Sequence, residues 1–214
     1  MNHQFKLVLF DMDETLLNGR TIHVIGEKKG FKDAVVRLEE NTIVSYKKNK
    51  MIAQLLQNMT KELESIFQSI PLHAHVQEVI NKLKNKNIKT AIVTNSYQFL
   101  ADELKKRLRM DYAVGNILVV NKGIITGELI IQNTLHEEVF KGCKIHPICK
   151  RSVVDYFCKK LKISAEDIIA VGDGKIDICM LEKAGLGIAY NASAEVQQHA
   201  DIATDDLRVI LDHI

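Results

Sequence analysis

Lys6-Leu7-Val8-Leu9-Phe10-Asp11-Met12-Asp13-Glu14-Thr15-Leu16 decides the fold. An apolar run ends abruptly in two carboxylates separated by one residue. Such a run reads as a strand buried on both faces of a parallel sheet. Open α/β sheets bind ligands beyond the carboxyl ends of their strands, so Asp11 and Asp13 fall where chemistry is done. Two acids this close repel each other. A hard divalent cation with oxygen ligands would relieve the repulsion.

Further strand signals follow outward from this stretch at Lys89–Thr94, Asp167–Val171, Leu186–Tyr190 and Ile202-Ala203. Helix candidates lie between them at about 73–86, 96–109, 148–161, 176–184 and 194–200, with Pro147 placed to open the third. This alternation predicts a doubly wound, Rossmann-like parallel sheet with helices on both faces. Asn121-Lys122-Gly123, between Ile117–Val120 and Ile124–Ile131, reads as the turn of an antiparallel hairpin, an edge excursion from the sheet. Ser164 and Asp167 have the spacing of a capping box. From 18 to 70 the pattern is helical instead, with apolar residues at Val35 and Leu38, at Ile52, Leu55, Leu56 and Met59, and at Leu63, Ile66, Phe67 and Ile70. The expected domains are an α/β core of residues 1–17 and 71–214 and a helical cap of residues 18–70, hinged near Gly19 and Pro71 and lying over Asp11.

Bulk properties narrow the function classes. The 214 residues carry a net charge of only +2, which gives no argument for nucleic acid, and the lysine clusters at 47–50 and 82–86 read as solvated faces. No apolar run approaches the roughly 18 residues of a membrane span. The apolar run at the N-terminus is too short for a signal peptide, so the expected location is the cytoplasm, where Cys143, Cys149, Cys158 and Cys179 stay reduced. Cys143, His146 and Cys149 have a metal-like spacing, but no fourth ligand is evident, and loop or core cysteines are the better reading.

Four other features fall at strand ends or helix starts. Thr94 follows Ala91-Ile92-Val93, with Asn95 and Ser96 expected to open the next helix. Lys150 lies near the start of the helix after Pro147. Asp173 sits in Gly172-Asp173-Gly174, and Asp177 follows on the first helical turn. Each is weak alone: a strand-end threonine is usually a cap, and a single lysine is usually surface. Together they make a phosphoryl-transfer kit. One carboxylate can serve as nucleophile, and a second can protonate the leaving oxygen and then activate water. A hydroxyl, backbone N–H groups and a lysine can hold phosphate oxygens, and the remaining acids can anchor Mg²⁺.

The ordered set Asp11-Met12-Asp13-Glu14-Thr15-Leu16, Ile92-Val93-Thr94-Asn95, Lys150 and Val171-Gly172-Asp173-Gly174-Lys175-Ile176-Asp177 resembles the haloacid dehalogenase superfamily, in its phosphoserine-phosphatase-like branch. The similarity extends to Leu104–Leu108, Asp111-Tyr112-Ala113, Thr126-Gly127 and Ala184–Ala192. The resemblance implies a Mg²⁺-dependent phosphatase that forms an aspartyl-phosphate. Asp11 would be the nucleophile and Asp13 the general acid/base. Thr94, Asn95 and Lys150 would bind the transferring phosphoryl group. Asp11, the main chain of Asp13, Asp173 and Asp177 would form the metal site. A retained acid at Asp13 suits an oxygen leaving group rather than a halide.

The sequence also departs from that branch. Arg20 stands where phosphoserine phosphatases have a glutamate for the substrate ammonium. Their cap arginine is not evident, with Ile52 nearest and Lys50 a substitute. Thr94-Asn95-Ser96 replaces Ser-Gly-Gly, and Ile176 replaces an asparagine. Arg20 and Lys50 therefore form the expected leaving-group pocket, which favours an anionic or hydroxyl-rich leaving group over an amine. The expected partner is a small phosphorylated metabolite, for a monomer or homodimer. The same kit would serve a phosphotransferase or phosphomutase. A non-catalytic phospho-ligand sensor is the alternative from another class.

Overall fold

The computed structural model describes residues 4–41, 45–59, 62–130 and 146–214. In chain order, β1 (Leu7–Phe10) leads to four helices, α1 (Thr21–Lys29), α2 (Lys32–Glu40), α3 (Ser45–Gln54) and α4 (Glu62–Gln68). Next come α5 (Val76–Asn85), β2 (Lys89–Tyr97), α6 (Gln98–Leu108), β3 (Tyr112–Asn121) and β4 (Ile124–Ile130). The remainder is α7 (Lys150–Leu161), β5 (Ile168–Gly172), α8 (Ile178–Leu181), β6 (Leu186–Tyr190), α9 (Ala194–Gln197) and β7 (Ile202–Thr204). The seven strands form one sheet in the order β4-β3-β2-β1-β5-β6-β7. All pairs are parallel except β3–β4.

The opening strand is central. Leu9 lies beside Ala91 of β2 on one side and Ala170 of β5 on the other. Its side chains alternate between two cores, as the strand period requires. Val8 and Phe10 pack with Val79, Ile80 and Leu83 of α5 and Leu100 and Leu104 of α6. Leu7 and Leu9 pack with Val153, Val154 and Phe157 of α7 and with Met180 and Leu181. A strand buried on both faces is therefore apolar throughout, and the first polar residue after it marks the sheet's rim.

The chain leaves and re-enters this rim at one place. The Asn18 N–H donates to the Pro71 carbonyl at 2.8 Å, and the His73 N–H donates to the Leu16 carbonyl at 3.0 Å. Gly19, at φ +146°, turns the chain outward immediately afterwards, in a region of backbone space that favours glycine. The helical insertion α1–α4 thus rises from a paired neck. Its far side is fastened to the hairpin, where the N–H of Asn58 donates to Ile125 and the N–H of Ile125 donates to Met59, at 2.9 and 3.0 Å.

Several sequence expectations are corrected. β2 runs on to Tyr97, so Asn95 and Ser96 do not open a helix; they lie in an irregular strand end whose register against β3 shifts between Val93 and Tyr97. The hairpin is more than an edge excursion. Its first strand starts at Tyr112, and its first half pairs parallel with β2 before its second half turns antiparallel to β4. Gly115-Asn116 splits the strand's apolar run and hid its first half from a search for such runs. Pro147 precedes α7 by three residues rather than occupying its first turn. The helix expected at 176–184 is a 3₁₀ turn, Lys175–Asp177, followed by a single α turn. The two-residue hairpin turn does have the expected left-handed pair, Lys122 at φ 48° and Gly123 at φ 80°. Among the described residues no helix is long and apolar enough to cross a membrane. Cys143 lies outside the described residues.

Phe157 is fully buried and its ring lies 5.3 Å from that of Tyr112, so it fixes α7 against the sheet. Phe157→Ala is expected to lower unfolding free energy by about 3–5 kcal/mol, read from urea denaturation.

Candidate active site

The rim of the sheet gathers the acids. The Asp11 N–H donates to the Val171 carbonyl of β5 at 2.9 Å, which continues the β1–β5 ladder by one rung. Met12 is fully buried. The amides of Leu16 and Leu17 both return to the Met12 carbonyl, which folds residues 12–17 into a tight turn, with Glu14 at φ 59°.

From the other side β5 delivers Gly172 and Asp173, and the 3₁₀ turn brings Asp177 back over the strand end. Asp177 accepts from the Gly174 N–H at 2.9 Å. The approach is so close that a Cβ at Gly172 would sit 2.5 Å from Asp177 Cγ, so that position has no room for any side chain. Asp173 accepts from the Thr15 hydroxyl at 2.8 Å. The carboxylates of Asp11, Asp173 and Asp177 each place an oxygen within 4.8 Å of the other two. This is a set of hard oxygen donors suited to a small divalent cation.

Lys150, the first residue of α7, reaches the same point from beneath. Its ammonium is fully buried and lies 2.5 Å from both Asp11 Oδ1 and Asp177 Oδ1. Burial works to lower the lysine pKa, but the charges of Asp11 and Asp177 outweigh it and the net shift is upward. Burial pushes the Asp11 carboxyl well above the carboxylate range; Lys150 opposes this, and Asp177 and Asp173 add to it. Burial also raises Asp173, to about 6, with Asp177's charge contributing. Three acids thus share one ammonium, and the unbalanced negative charge is what a bound cation would neutralise. A metal fits these residues.

Asp13 faces elsewhere. Its Oδ1 accepts from the N–H of Thr21 at 3.0 Å and from the Thr21 hydroxyl, which pins the side chain to the first turn of α1. Its carboxyl is raised by burial despite those bonds. Its carboxylate does not join the three-acid cluster, and it lies where the core meets the insertion.

A cavity of about 460 Å³ opens above these groups. Asp11, Asp13, Thr94, Asn95, Asp173 and Asp177 line its floor. The buried Thr94 hydroxyl accepts from the Ser96 N–H at 3.0 Å and keeps its own proton to donate. The insertion supplies the roof with Arg20, Glu39, Lys48, Asn49 and Ile52. Arg20 pairs with Glu39 at 3.3 Å, and Glu39 also meets His23 at 2.8 Å. Lys50 is a correction: it is exposed on α3 and does not line the cavity, because its neighbours Lys48 and Asn49 occupy the inward face. Lys150 is likewise absent from the lining, since it lies under the acids rather than beside them. Sequence reasoning missed Thr15, Thr21, Glu39, Lys48 and Asn49. The two threonines carry a local signal, a hydroxyl beside the Asp-x-Asp turn and another at a helix start. The roof residues carry none, because their place depends on how the insertion folds over the core.

Residues 5–185 match the family of haloacid dehalogenase-like hydrolases. The phosphoserine phosphatase of Methanocaldococcus jannaschii is 31% identical over the full length of both chains. That of Archaeoglobus fulgidus is 34% identical over 94% of this chain, which spans 56% of the relative's length. A solved phosphoserine phosphatase described as a phospho-aspartyl intermediate analogue superposes with a TM-score of 0.82 at 31% identity, over 99% of each chain. A substrate-bound phosphoserine phosphatase complex superposes with a TM-score of 0.83 at 30% identity, covering 99% of each chain.

The raised carboxyl of Asp173 predicts how the metal-free protein responds to pH. In the unfolded chain it titrates near 4. Below that both states hold the proton. Between about 4 and about 6 only the folded state does, so stability falls as pH rises and the loss is complete above about 6. Divalent cations bind the ionised form. Magnesium is therefore expected to raise Tm more at about pH 7.5 than at about pH 5, checked by thermal melts with and without chelator.

Proposed function

The chain belongs to the haloacid dehalogenase-like hydrolases, in their phosphoserine-phosphatase-like branch of phosphoric monoester hydrolases, and we propose that it hydrolyses a small phosphorylated metabolite through an aspartyl-phosphate on Asp11. The observation that carries this reading is the Asp11 carboxylate at the end of the central strand, lining the cavity with its Oδ1 2.5 Å from buried Lys150.

The attack forms a bond from the Asp11 oxygen to phosphorus as the ester oxygen leaves. Asp13, whose burial favours its protonated form, gives that oxygen a proton and later takes one from the hydrolytic water. The Thr94 hydroxyl and the main chain of Asn95 hold the phosphoryl oxygens, whereas Lys150, expected from the sequence to join them, lies beneath the floor and holds the Asp11 carboxylate instead. Asp11, Asp173 and Asp177, with the main chain of Asp13, would hold Mg²⁺, which supplies positive charge that offsets repulsion between the dianionic ester and the attacking carboxylate. Residues 18–70 act as the cap over a core of 1–17 and 71–214, and their closure excludes water during attack. The reading sets the enzyme in the cytoplasm, as a monomer or homodimer. Cys149, Cys158 and Cys179 stand as thiols rather than disulfides, in keeping with a reducing compartment.

The leaving group is read from the roof. Arg20 presents a guanidinium to the cavity, with Lys48 nearby, and this favours an anionic or hydroxyl-rich alcohol. Phosphoserine is the second reading. Glu39 beside Arg20 offers a carboxylate for an ammonium, and the similar chains described above are phosphoserine phosphatases. Transfer to an acceptor hydroxyl instead of water would use the same intermediate and is separated by product analysis with added acceptors.

Asp11→Asn retains the shape and removes the attacking carboxylate. It is expected to lower kcat on p-nitrophenyl phosphate with Mg²⁺ by about three orders of magnitude or more. In a phosphomonoester panel, anionic or polyhydroxylated substrates are expected to outrun phosphoserine, and Arg20→Ala is expected to raise their KM by about tenfold with little change for p-nitrophenyl phosphate. Phosphoserine well ahead of the panel would decide for the second reading.

A further inference from the structure

We propose that Asn95 is a positioning residue: its side chain fixes the start of the lysine helix, and its carbonyl receives the helical insertion. The proposal goes beyond the hydrolase reading, and its kinetic arm rests on that reading.

Lys150 has to bury an ammonium between two carboxylates at 2.5 Å each, so the first turn of α7 must be placed closely. That helix start has no side-chain cap of its own, since Cys149 precedes it with no capping hydrogen bond. The restraint comes from across the sheet. The Ile148 N–H, two residues before Lys150, donates to Asn95 Oδ1 at 2.9 Å. Ile148 is itself buried against the α7 face of the sheet, so polar and apolar contacts hold the same residue.

The carbonyl of Asn95 accepts two further amides. Asn116 Nδ2, from fully buried Asn116 on β3, donates at 2.8 Å. Asn49 Nδ2, from α3 of the insertion, donates at 3.1 Å. A carbonyl oxygen has two lone pairs, and both are used here. One residue is therefore bonded at once to the roof, to the neighbouring strand and to the peptide that leads into Lys150. The irregular end of β2 makes this feasible: the ladder to β3 is interrupted between Val93 and Tyr97, where the Asn95 carbonyl meets side-chain donors. Lifting α3 would break the Asn49 bond and leave the Ile148 tether intact. The roof's seat and the lysine's seat thus meet in one residue whose carboxamide does not need to touch the phosphoryl group.

The test compares Asn95→Ala, Asn95→Asp and Asn49→Ala with the unaltered protein and with Asp11→Asn. Aspartate retains an acceptor for the Ile148 N–H but places a negative charge at the cavity floor. A side chain that contacted phosphate would make aspartate worse than alanine; a side chain that only accepts from Ile148 makes it better. The expected result is a kcat loss of roughly ten- to hundredfold for Asn95→Ala on p-nitrophenyl phosphate with Mg²⁺, largely recovered in Asn95→Asp. Amide exchange at Ile148 should be about tenfold or more faster in Asn95→Ala and near the unaltered rate in Asn95→Asp. In Asn49→Ala, exchange should quicken across 45–54 and not at Ile148. Equal Ile148 exchange in all variants, or alanine equal to or better than aspartate in kcat, would overturn the proposal. Should Asn95→Ala fold poorly, Asn95→Ser, whose hydroxyl is one bond shorter than the carboxamide's reach, takes its place. Full turnover in Asp11→Asn would remove the hydrolase reading alone, since the exchange measurements do not depend on activity.

Discussion

The ammonium of Lys150, buried between Asp11 and Asp177, is the contact on which the rest of the site depends. An uncompensated charge in such a place costs several kcal/mol, so the lysine and its two acids are mutually obligatory. Their meeting requires β1 and β5 to be adjacent and in register, so that Asp11 and the turn after Gly172 leave the sheet at one level. It also requires α7 to cross the sheet's other face with its N-terminus at the same rim. The adjacency of β1 and β5, the lack of any side chain at Gly172 and the packing of α7's apolar face on the sheet together bring the three charges to one point. One ammonium does not balance three carboxylates; burial raises Asp173, and the charge of Asp177 adds to the shift.

The neck of the insertion lies within a few residues of this cluster, and its placement has a physical consequence. Asp13 is pinned by Thr21 on the insertion, while Asp11, two residues earlier, is pinned by Lys150 on the core. The two acids that begin as neighbours in sequence therefore answer to different parts of the molecule. Any rigid-body movement of α1 about Gly19 reaches Asp13 directly and reaches Asp11 only through the Met12 turn. The far attachment of the insertion to β4, through Asn58 and Met59, gives it a second support, so it is not hinged at the neck alone.

Much of the core was legible because buried parallel strands are apolar without alternation and end sharply in polar residues. Leu7–Phe10 and Ile168–Gly172 are of that kind, and each delivers an acid one residue beyond its end. Where those conditions fail, the reading fails. Tyr112–Val114 pair with β2, but Gly115-Asn116 separates them from Ile117–Val120, and that break concealed a strand of the sheet. Asn95 and Ser96 are polar residues continuing a strand past its regular ladder, and sequence alone read them as a helix start. In the roof, helical periodicity identified the insertion but not its rotation about the helix axes. A rotation of one residue distinguishes Lys50, which faces solvent, from Asn49, which faces the cavity.

Floor and roof differ in how strongly each is determined. Lys150 cannot exchange its partners, because the alternative is a buried bare charge. Arg20 and Glu39 can. Their side chains are 53% and 28% exposed, and a pair in that setting contributes about 0–1 kcal/mol. An incoming anion that displaces Glu39 from Arg20 therefore gives up little, and an incoming cation that takes Glu39 gives up equally little. On the proposed reading, substitutions in the roof would alter which leaving group is held without disturbing the charged floor. The chain thus has a tightly determined floor beneath a loosely determined roof, and the paired neck at Leu17 and Leu72 is what lets the two coexist on one sheet.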